Sequence, residues 1–259
     1  MTASIIMRLD PARAIFDRDE FTAALFFPRA DASPPGRARD LTVDVGAARV
    51  HVRCHPADAA RCALLLFHGN GEVVADYDRA AGEFAACGAA LAVADYRGYG
   101  QSTGAPTLRT LIGDARAVAT AVRDATGLPL VVMGRSLGGA AAHELYARPI
   151  DGMVGVVLES TFVDLRGLIG RRGLVAPATF TADETGTFDP LTKLAAGRLP
   201  LLLLHGERDT LIPAAEAATA LATAGSAAKQ LVVVPRRGHN DISHADAYWT
   251  ALAAFLSTL

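Results

Sequence analysis

Residues 129–139 read Pro-Leu-Val-Val-Met-Gly-Arg-Ser-Leu-Gly-Gly. The apolar run at 129–133 has the pattern of a buried strand, and an alanine-rich segment typical of a helix follows Gly139. Between them, Gly134 and Gly138 flank Ser136 in a Gly-x-Ser-x-Gly turn, which exposes a serine hydroxyl because the glycines keep side chains away from it. Ser136 would also lie at a helix N-terminus, where free N–H groups favour negative charge. This stretch predicts Ser136 as a nucleophile.

Outward from this turn, short apolar runs alternate with longer amphipathic stretches along the chain. This alternation predicts an α/β fold with a mostly parallel, doubly wound sheet of about eight strands and helices on both faces. The predicted strands are Leu41–Val45, Arg49–Arg53, Ala63–Phe67, Ala90–Ala94, Leu130–Met133, Gly155–Leu158, Leu201–Leu204 and Leu231–Val234. The predicted helices are Tyr77–Cys87, Leu108–Thr126, Leu137–Ala147, Ala214–Ala224 and Ser243–Thr258. The first two strands are so close that a hairpin should make the N-terminal edge antiparallel.

The pattern divides the chain into an arm and one core domain. Residues 1–40 contain several prolines and predict an N-terminal arm packed on the core, and residues 41–259 predict a single domain. Residues 160–198 lack a strand pattern but carry scattered apolar side chains. We expect a short cap insertion there.

Composition excludes several classes of protein. With a net charge of −2 over 259 residues, the chain has no basic surface for a phosphate backbone, so a nucleic-acid partner is not expected. The longest apolar runs are far below the roughly 18 residues that a membrane span needs. The three cysteines form no CxxC pair, so the sequence predicts no disulfide framework. The histidines and cysteines around His51 and Cys54 lack the ligand spacing of a structural zinc site, and a short strand accounts for their closeness in sequence, so no metal site is predicted. We expect a cytoplasmic protein.

A serine nucleophile needs a histidine base oriented by a carboxylate. His239 lies in a loop after the last predicted strand, at the carboxyl edge where sites of open α/β sheets collect. Asp209 follows the preceding strand in the same way and gives the chain order Ser, Asp, His typical of such hydrolases. Glu159, at the end of another predicted strand, is the alternative acid.

Charge that develops on a substrate oxygen needs backbone N–H donors. One donor should be Leu137, the residue after the nucleophile, and the second should be Asn70 in the glycine-rich loop 68–72. That loop matches neither GxxxxGK[ST] nor GxGxxG, so no nucleotide site is predicted.

These motifs together resemble the α/β-hydrolase superfamily, and within it the serine hydrolases with an HGN loop, a group that includes depalmitoylase-like and acyl-thioesterase-like members. The resemblance covers nearly the whole chain and runs through 27–29, 67–71, 95–102, 134–139, 158–160, 205–209 and 238–240. It implies Ser136, Asp209 and His239 as the catalytic triad and Asn70 and Leu137 as oxyanion donors.

Departures from the resemblance bear on the substrate. Relatives that act on membrane lipids or lipidated proteins often have an N-terminal membrane helix or acylated cysteines. The arm contains no cysteine and we expect no membrane helix in it, so a palmitoyl-protein substrate is not expected. The loop reads HGNGE where many relatives read HGNAGN, which places Glu72 near the expected mouth of the site, either to bind a cationic group or simply as a solvated residue. Apolar cap residues should line an acyl pocket, with Phe162 and Leu165 as candidates. Arg135, next to the nucleophile, should either pair with an acid such as Glu159, the interpretation that we favour, or orient the substrate.

The sequence therefore predicts a serine hydrolase that cleaves a small carboxylic ester or thioester through an acyl-enzyme on Ser136, without a cofactor or metal. Two alternatives stay open at this level. The same triad serves amidases, peptidases and carbon–carbon hydrolases, because the fold hosts all of these reactions. A non-catalytic binding protein on a hydrolase scaffold is the other alternative.

Overall fold

A computed structural model describes residues 15–175 and 179–259. Within these residues eight strands form one sheet in the order β1-β2-β4-β3-β5-β6-β7-β8. The strands are β1 Arg39–Asp44, β2 Arg49–Cys54, β3 Cys62–Phe67, β4 Ala89–Ala94, β5 Leu130–Arg135, β6 Met153–Glu159, β7 Leu201–Gly206 and β8 Lys229–Val234. The described α-helices are α1 Asp19–Leu25, α2 Ala81–Ala86, α3 Leu108–Thr126, α4 Gly139–Ala147, α5 Leu165–Arg171, α6 Ala182–Thr187, α7 Pro190–Ala196, α8 Ala214–Thr223 and α9 Asp246–Ser257.

The sheet is parallel from β4 to β8 and antiparallel at its N-terminal edge. β1 pairs with β2, and β2 pairs with β4, in antiparallel register, whereas the other neighbours are parallel. The turn between β1 and β2 contains Gly46 with a φ of 78°, a conformation that glycine adopts at no steric cost. These features confirm the predicted fold class.

Helices cover both faces of the sheet because its central strands are apolar on both sides. Leu65 packs into a cluster with α3 and α4, whereas Leu64 and Leu66 pack into a second cluster with α2 and α9. The strands are thereby fixed between two layers. The loops at their carboxyl ends are presented from a rigid base.

Three predicted helices begin later in the structure than the sequence predicts, among them α4, which a 3-10 turn at Ser136–Gly138 precedes. A 3-10 turn at Val74–Tyr77 precedes the shorter helix α2, and the Asp76 carboxylate accepts the Val73 N–H, which closes that turn locally. Another 3-10 turn, Ile242–His244, precedes α9, so His244 lies before the last helix rather than in its first turn.

Residues 15–25 of the arm pack on the core. Phe21 and Leu25 of α1 are buried in the same cluster as α3 and α4, and Ala30 forms a bridge with Gly100. Residues 1–14 of the predicted arm lie outside the described residues, and its last two residues belong to β1. In the predicted cap, 160–198, the chain forms α5, α6 and α7, and residues 176–178 likewise lie outside the description.

A buried carboxylate braces the loop that follows β3. Asp95 accepts the Val74 N–H at 3.1 Å, and its other oxygen lies 2.9 Å from His51 Nδ1. His68 Nε2 lies 3.4 Å from the same carboxylate. Burial opposes ionisation, but the bonds with His51 and His68 outweigh it and lower the pKa of Asp95 to about 2.

The buried Asp95 carboxylate predicts a specific acid sensitivity. Its pKa in the folded protein is about 2, below the ordinary 3.8, so its stabilisation is present above pH 3.8 and is lost as the pH falls toward 2. The shift corresponds to about 2 kcal/mol at neutral pH. We expect the difference in free energy of unfolding between wild type and Asp95→Asn to shrink between pH 4 and pH 2, measured by urea unfolding. A difference independent of pH would contradict this assignment.

Candidate active site

Ser136 occupies a strained turn at the carboxyl end of β5. Its φ is 51°, in the left-handed region that non-glycine residues rarely adopt, and a 3-10 turn at Ser136–Gly138 leads into α4. A Cβ on Gly134 would lie 2.6 Å from the Ala142 Cβ, and one on Gly138 would lie 2.0 Å from the Phe67 carbonyl oxygen. Only glycine fits at these two positions, which explains the Gly-x-Ser-x-Gly spacing. The contact at Gly138 also brings the loop after β3 against the serine turn.

This contact predicts a large effect for a small substitution. Gly138→Ala should lower the free energy of unfolding by about 1–3 kcal/mol, because the added methyl meets backbone atoms that cannot rotate away. Gly113→Ala is the matched control, since Gly113 lies within α3 with open space around it and alanine is the better helix former by about 1 kcal/mol. Denaturant unfolding compares the two variants. Equal stability of both would show that the turn tolerates a Cβ.

A continuous chain of hydrogen bonds joins Ser136, His239 and Asp209. His239 Nε2 lies 2.9 Å from Ser136 Oγ, and His239 Nδ1 lies 2.7 Å from Asp209 Oδ2. Because an ionised carboxylate can only accept, Nδ1 carries the proton and Nε2 is free to accept the serine proton. The three residues lie on the segments that follow β5, β7 and β8. These segments bring Ser136 and His239, which are 103 positions apart in the chain, into contact.

Asp209 is held as a carboxylate by several donors. Its Oδ1 accepts the Leu211 and Ile212 N–H groups at 2.9 and 2.8 Å. Burial of the group opposes ionisation, but the bonds from His239 and the Ile212 N–H outweigh burial and lower the pKa of Asp209. The acid facing His239 is therefore ionised at neutral pH and fixed in orientation.

The alternative acid, Glu159, is engaged elsewhere. Its Oε1 lies 3.1 Å from Arg135 Nε, as predicted for that pair, and its Oε2 accepts the Tyr248 hydroxyl at 2.7 Å. Burial raises the pKa of Glu159 despite the nearby Arg135 guanidinium. Arg135 also donates to Asn240 Oδ1 at 2.9 Å, which ties the serine turn to the loop that carries His239.

The two predicted oxyanion donors lie on segments that touch each other. Leu137 follows the nucleophile, and the loop of Asn70 begins at the Phe67 carbonyl that contacts Gly138. The Asn70 side chain holds the arm: its Oδ1 accepts the Phe27 N–H at 2.9 Å, and its Nδ2 donates to the Leu25 carbonyl at 2.7 Å. The amide side chain is thus occupied, and the backbone N–H is the group of Asn70 that suits oxyanion binding.

The Glu72 side chain does not lie at the mouth of the site, where the sequence placed it. Instead, its carboxylate accepts the Gly69 N–H and the Tyr77 hydroxyl, each at 2.7 Å, and forms an ion pair with Arg135. The Arg135 guanidinium draws the carboxylate inward, and Glu72 does not line the cavity at Ser136. Glu72 therefore stabilises the loop and has no contact with that cavity.

A cavity of about 220 Å³ opens at Ser136 and His239. Phe162 lines it as predicted, whereas Leu165 lies in the core and Leu168, one turn later on α5, lines the cavity instead. Sequence reasoning missed several lining residues because they come from the arm, the end of α5 and the loop after β7. These residues are Leu25, Leu168, Arg171, Arg172, Thr210, Leu211 and Ile212.

The described residues offer neither a metal site nor a membrane span. In residues 15–175 and 179–259, no group of three or more His, Cys, Asp or Glu side chains is arranged to bind a metal ion. Within the same residues, no helix combines the length and the apolar character needed to cross a bilayer.

Comparison with known proteins places this architecture in a family. A family model described as serine aminopeptidase, S33, matches residues 58–183. Protein bem46 of Schizosaccharomyces pombe is 30% identical over 205 residues, which cover 76% of this chain and 68% of that protein. An uncharacterized membrane protein of Saccharomyces cerevisiae, YNL320W, is 31% identical over 65% of this chain and 61% of its own length.

Solved structures show the same fold. An esterase of Pyrococcus furiosus superposes with a TM-score of 0.73 at 17% identity, over 90% of this chain and 98% of that chain. A predicted CIB-like hydrolase of Thermoplasma acidophilum superposes with a TM-score of 0.61 at 23% identity, over 86% and 99%. Together with the sheet order and the relationship to bem46, these matches establish that the chain belongs to the α/β-hydrolase superfamily.

Proposed function

We propose that the protein is a serine hydrolase that cleaves a small carboxylic ester or thioester through an acyl-enzyme on Ser136. The observation that carries the proposal is the unbroken hydrogen-bond chain from Ser136 Oγ through His239 to Asp209. A serine hydroxyl is a weak nucleophile, and this arrangement supplies both the base that takes its proton and the carboxylate that orients the base.

Acylation follows from this geometry. Ser136 Oγ attacks the substrate carbonyl carbon while its proton passes to His239 Nε2, 2.9 Å away. The oxyanion that forms accepts hydrogen bonds from the Leu137 and Asn70 N–H groups, each of which contributes about a hundred- to a thousand-fold in rate. The C–O or C–S bond then breaks as the imidazolium returns the proton to the leaving group, and Asp209 stabilises the imidazolium in between.

Deacylation repeats the sequence with water. His239 accepts a proton from a water molecule that attacks the acyl carbon, and the collapsing intermediate returns the proton to Ser136 Oγ as the acid leaves. Protonation of His239 removes the base from both halves of the reaction.

The size of the site indicates small substrates. A cavity of about 220 Å³ is below the 300–1,000 Å³ usual for ligand pockets, and it is lined mainly by apolar side chains near Ser136. A short or medium acyl chain fits better than a long lipid. The family model's description, serine aminopeptidase, favours amide cleavage by the same triad as the second candidate. A cytoplasmic location stays a prediction.

Intact-mass analysis after treatment with a fluorophosphonate tests the proposal. We expect one covalent adduct on the wild type and none on Ser136→Ala, because only an activated serine reacts with this reagent. Turnover of matched ester, thioester and amide substrates then separates the two candidate bonds. Wild-type protein that remains unmodified would overturn the proposal and favour a binding protein on a hydrolase scaffold.

A further inference from the structure

Two arginine side chains line the cavity at Ser136, although the whole chain carries a net charge of −2. They are Arg171 and Arg172, at the end of α5. None of the described residues that line this cavity is an aspartate or a glutamate. The arginine side chains that face this cavity are cationic, and a cleft lined by cationic groups attracts anions.

The two arginines differ in how they are paired. Arg171 donates to Glu216 Oε1 at 2.8 Å, and Glu216 in turn accepts the Val163 and Asp164 N–H groups. Arg171 is thus part of a fixed structural contact that holds the start of α5 to α8. Its charge is largely balanced by that carboxylate.

The Arg172 guanidinium, by contrast, has no carboxylate partner in residues 15–175 and 179–259. It lies over the ring of Phe27, with 5.6 Å between the guanidinium carbon and the ring centroid, a cation–π contact that fixes its position without neutralising it. Burial and the neighbouring Arg171 lower the pKa of Arg172, which agrees with a cation that is partly desolvated and uncompensated. A half-buried guanidinium of this kind costs free energy unless an anion completes it.

We propose that Arg172 binds an anionic group of the substrate, a carboxylate or a phosphate, so that the enzyme prefers esters or thioesters bearing a negative charge. Guanidinium presents a planar pair of N–H donors that matches either anion. The Phe27 ring holds this fork at the wall of the cavity that contains Ser136. The inference rests on the proposed function and adds the substrate class to it.

Two pairs of esters test the proposal. The first pair is 4-nitrophenyl hydrogen adipate and its neutral adipamate isostere, which place the charge on the acyl chain. The second is the hexanoyl ester of 3-hydroxybenzoate and that of 3-hydroxybenzamide, which place the charge on the leaving group. The readout is the ratio of kcat/KM for charged over neutral ester, with the rate of Ser136→Ala subtracted as background.

We expect a ratio of about 10 to 100 in at least one pair for the wild type, the range that hydrogen bonds to charged groups contribute. Arg172→Gln should bring that ratio close to one, and Arg172→Glu should bring it below one. Arg166→Gln is the matched control, because it removes one positive charge from α5, which Arg172 directly follows, at a residue that does not line the cavity. Its ratio should equal that of the wild type.

The outcomes separate this inference from the proposed function. If the wild type hydrolyses the neutral esters but prefers neither charged ester, or if the preference survives in Arg172→Gln, the anion-binding role is wrong while the serine hydrolase stands. If no ester is hydrolysed and no fluorophosphonate adduct forms, the proposed function itself fails, and the inference fails with it. Thermal unfolding of each variant confirms that the comparison is made between folded proteins.

Discussion

Replacement of Ser136 by alanine is expected to lower kcat by about a million-fold, the size of loss seen when a triad nucleophile is removed. Alanine has no oxygen to form the acyl-enzyme, so only the backbone donors and substrate binding remain to accelerate the reaction. The side chain is small and half-buried, and its removal breaks a single contact, with His239. The loss should therefore appear in kcat, with little change in thermal stability.

A second serine supplies a close control. Ser160 directly follows β6, the neighbour of β5 in the sheet, and it also has a left-handed backbone, with a φ of 48°. Its hydroxyl is buried and has no hydrogen-bond partner within the described residues. Ser160→Ala should keep kcat within a few-fold of the wild type, measured with the same 4-nitrophenyl ester. Comparable losses in both variants would indicate that backbone strain, not the Ser136 hydroxyl, is what activity requires.

The fold and the three central residues were predictable because each depends on local sequence. The apolar runs of β3 to β7 are buried on both faces, so they carry a strong strand signal. The glycines at 134 and 138 are required by atoms that lie 2 to 3 Å from their missing Cβ positions, so the turn leaves a fixed spacing in the sequence. Asp209 and His239 follow strands whose carboxyl ends share one edge, which brings them together without any need to know the loops.

Side-chain direction inside the loops was not predictable in the same way. Glu72 turns inward because Arg135, 63 residues later, offers an ion pair, and no periodic pattern records such a contact. Leu168 lines the cavity in place of Leu165, which lies one helical turn earlier on α5 and packs in the core, and the sequence does not record how far along the helix the cavity reaches. Arg172 could not be singled out from the sequence, because only the folded arrangement of residues 15–175 and 179–259 shows that its guanidinium faces the cavity without a carboxylate partner there.

Substitution of Asp209 by asparagine should lower kcat by about ten-thousand-fold, the loss known for triads in which the acid becomes an amide. The structure gives the reason in detail. The Leu211 and Ile212 N–H groups bind Oδ1, and an asparagine would keep its carbonyl oxygen there and turn its NH₂ group toward His239. Nδ1 would then have to accept a hydrogen bond, and the imidazole proton would move to Nε2, where it faces Ser136 and cannot serve as the base.

Glu159→Gln tests whether the loss of activity comes from the changed tautomer of His239 or from the loss of any buried carboxylate near the site. Glu159 contacts Arg135 and Tyr248 rather than His239, so its amide variant leaves the tautomer unchanged and should lose at most about a hundred-fold, through the weakened Arg135 contact. Both variants are compared by kcat on one ester and by ¹⁵N NMR of the imidazole, which reports the tautomer directly. Asp209→Asn should show the proton on Nε2 and Glu159→Gln should show it on Nδ1. A larger loss in Glu159→Gln, or an unchanged tautomer in Asp209→Asn, would return Glu159 to consideration as the acid of the triad.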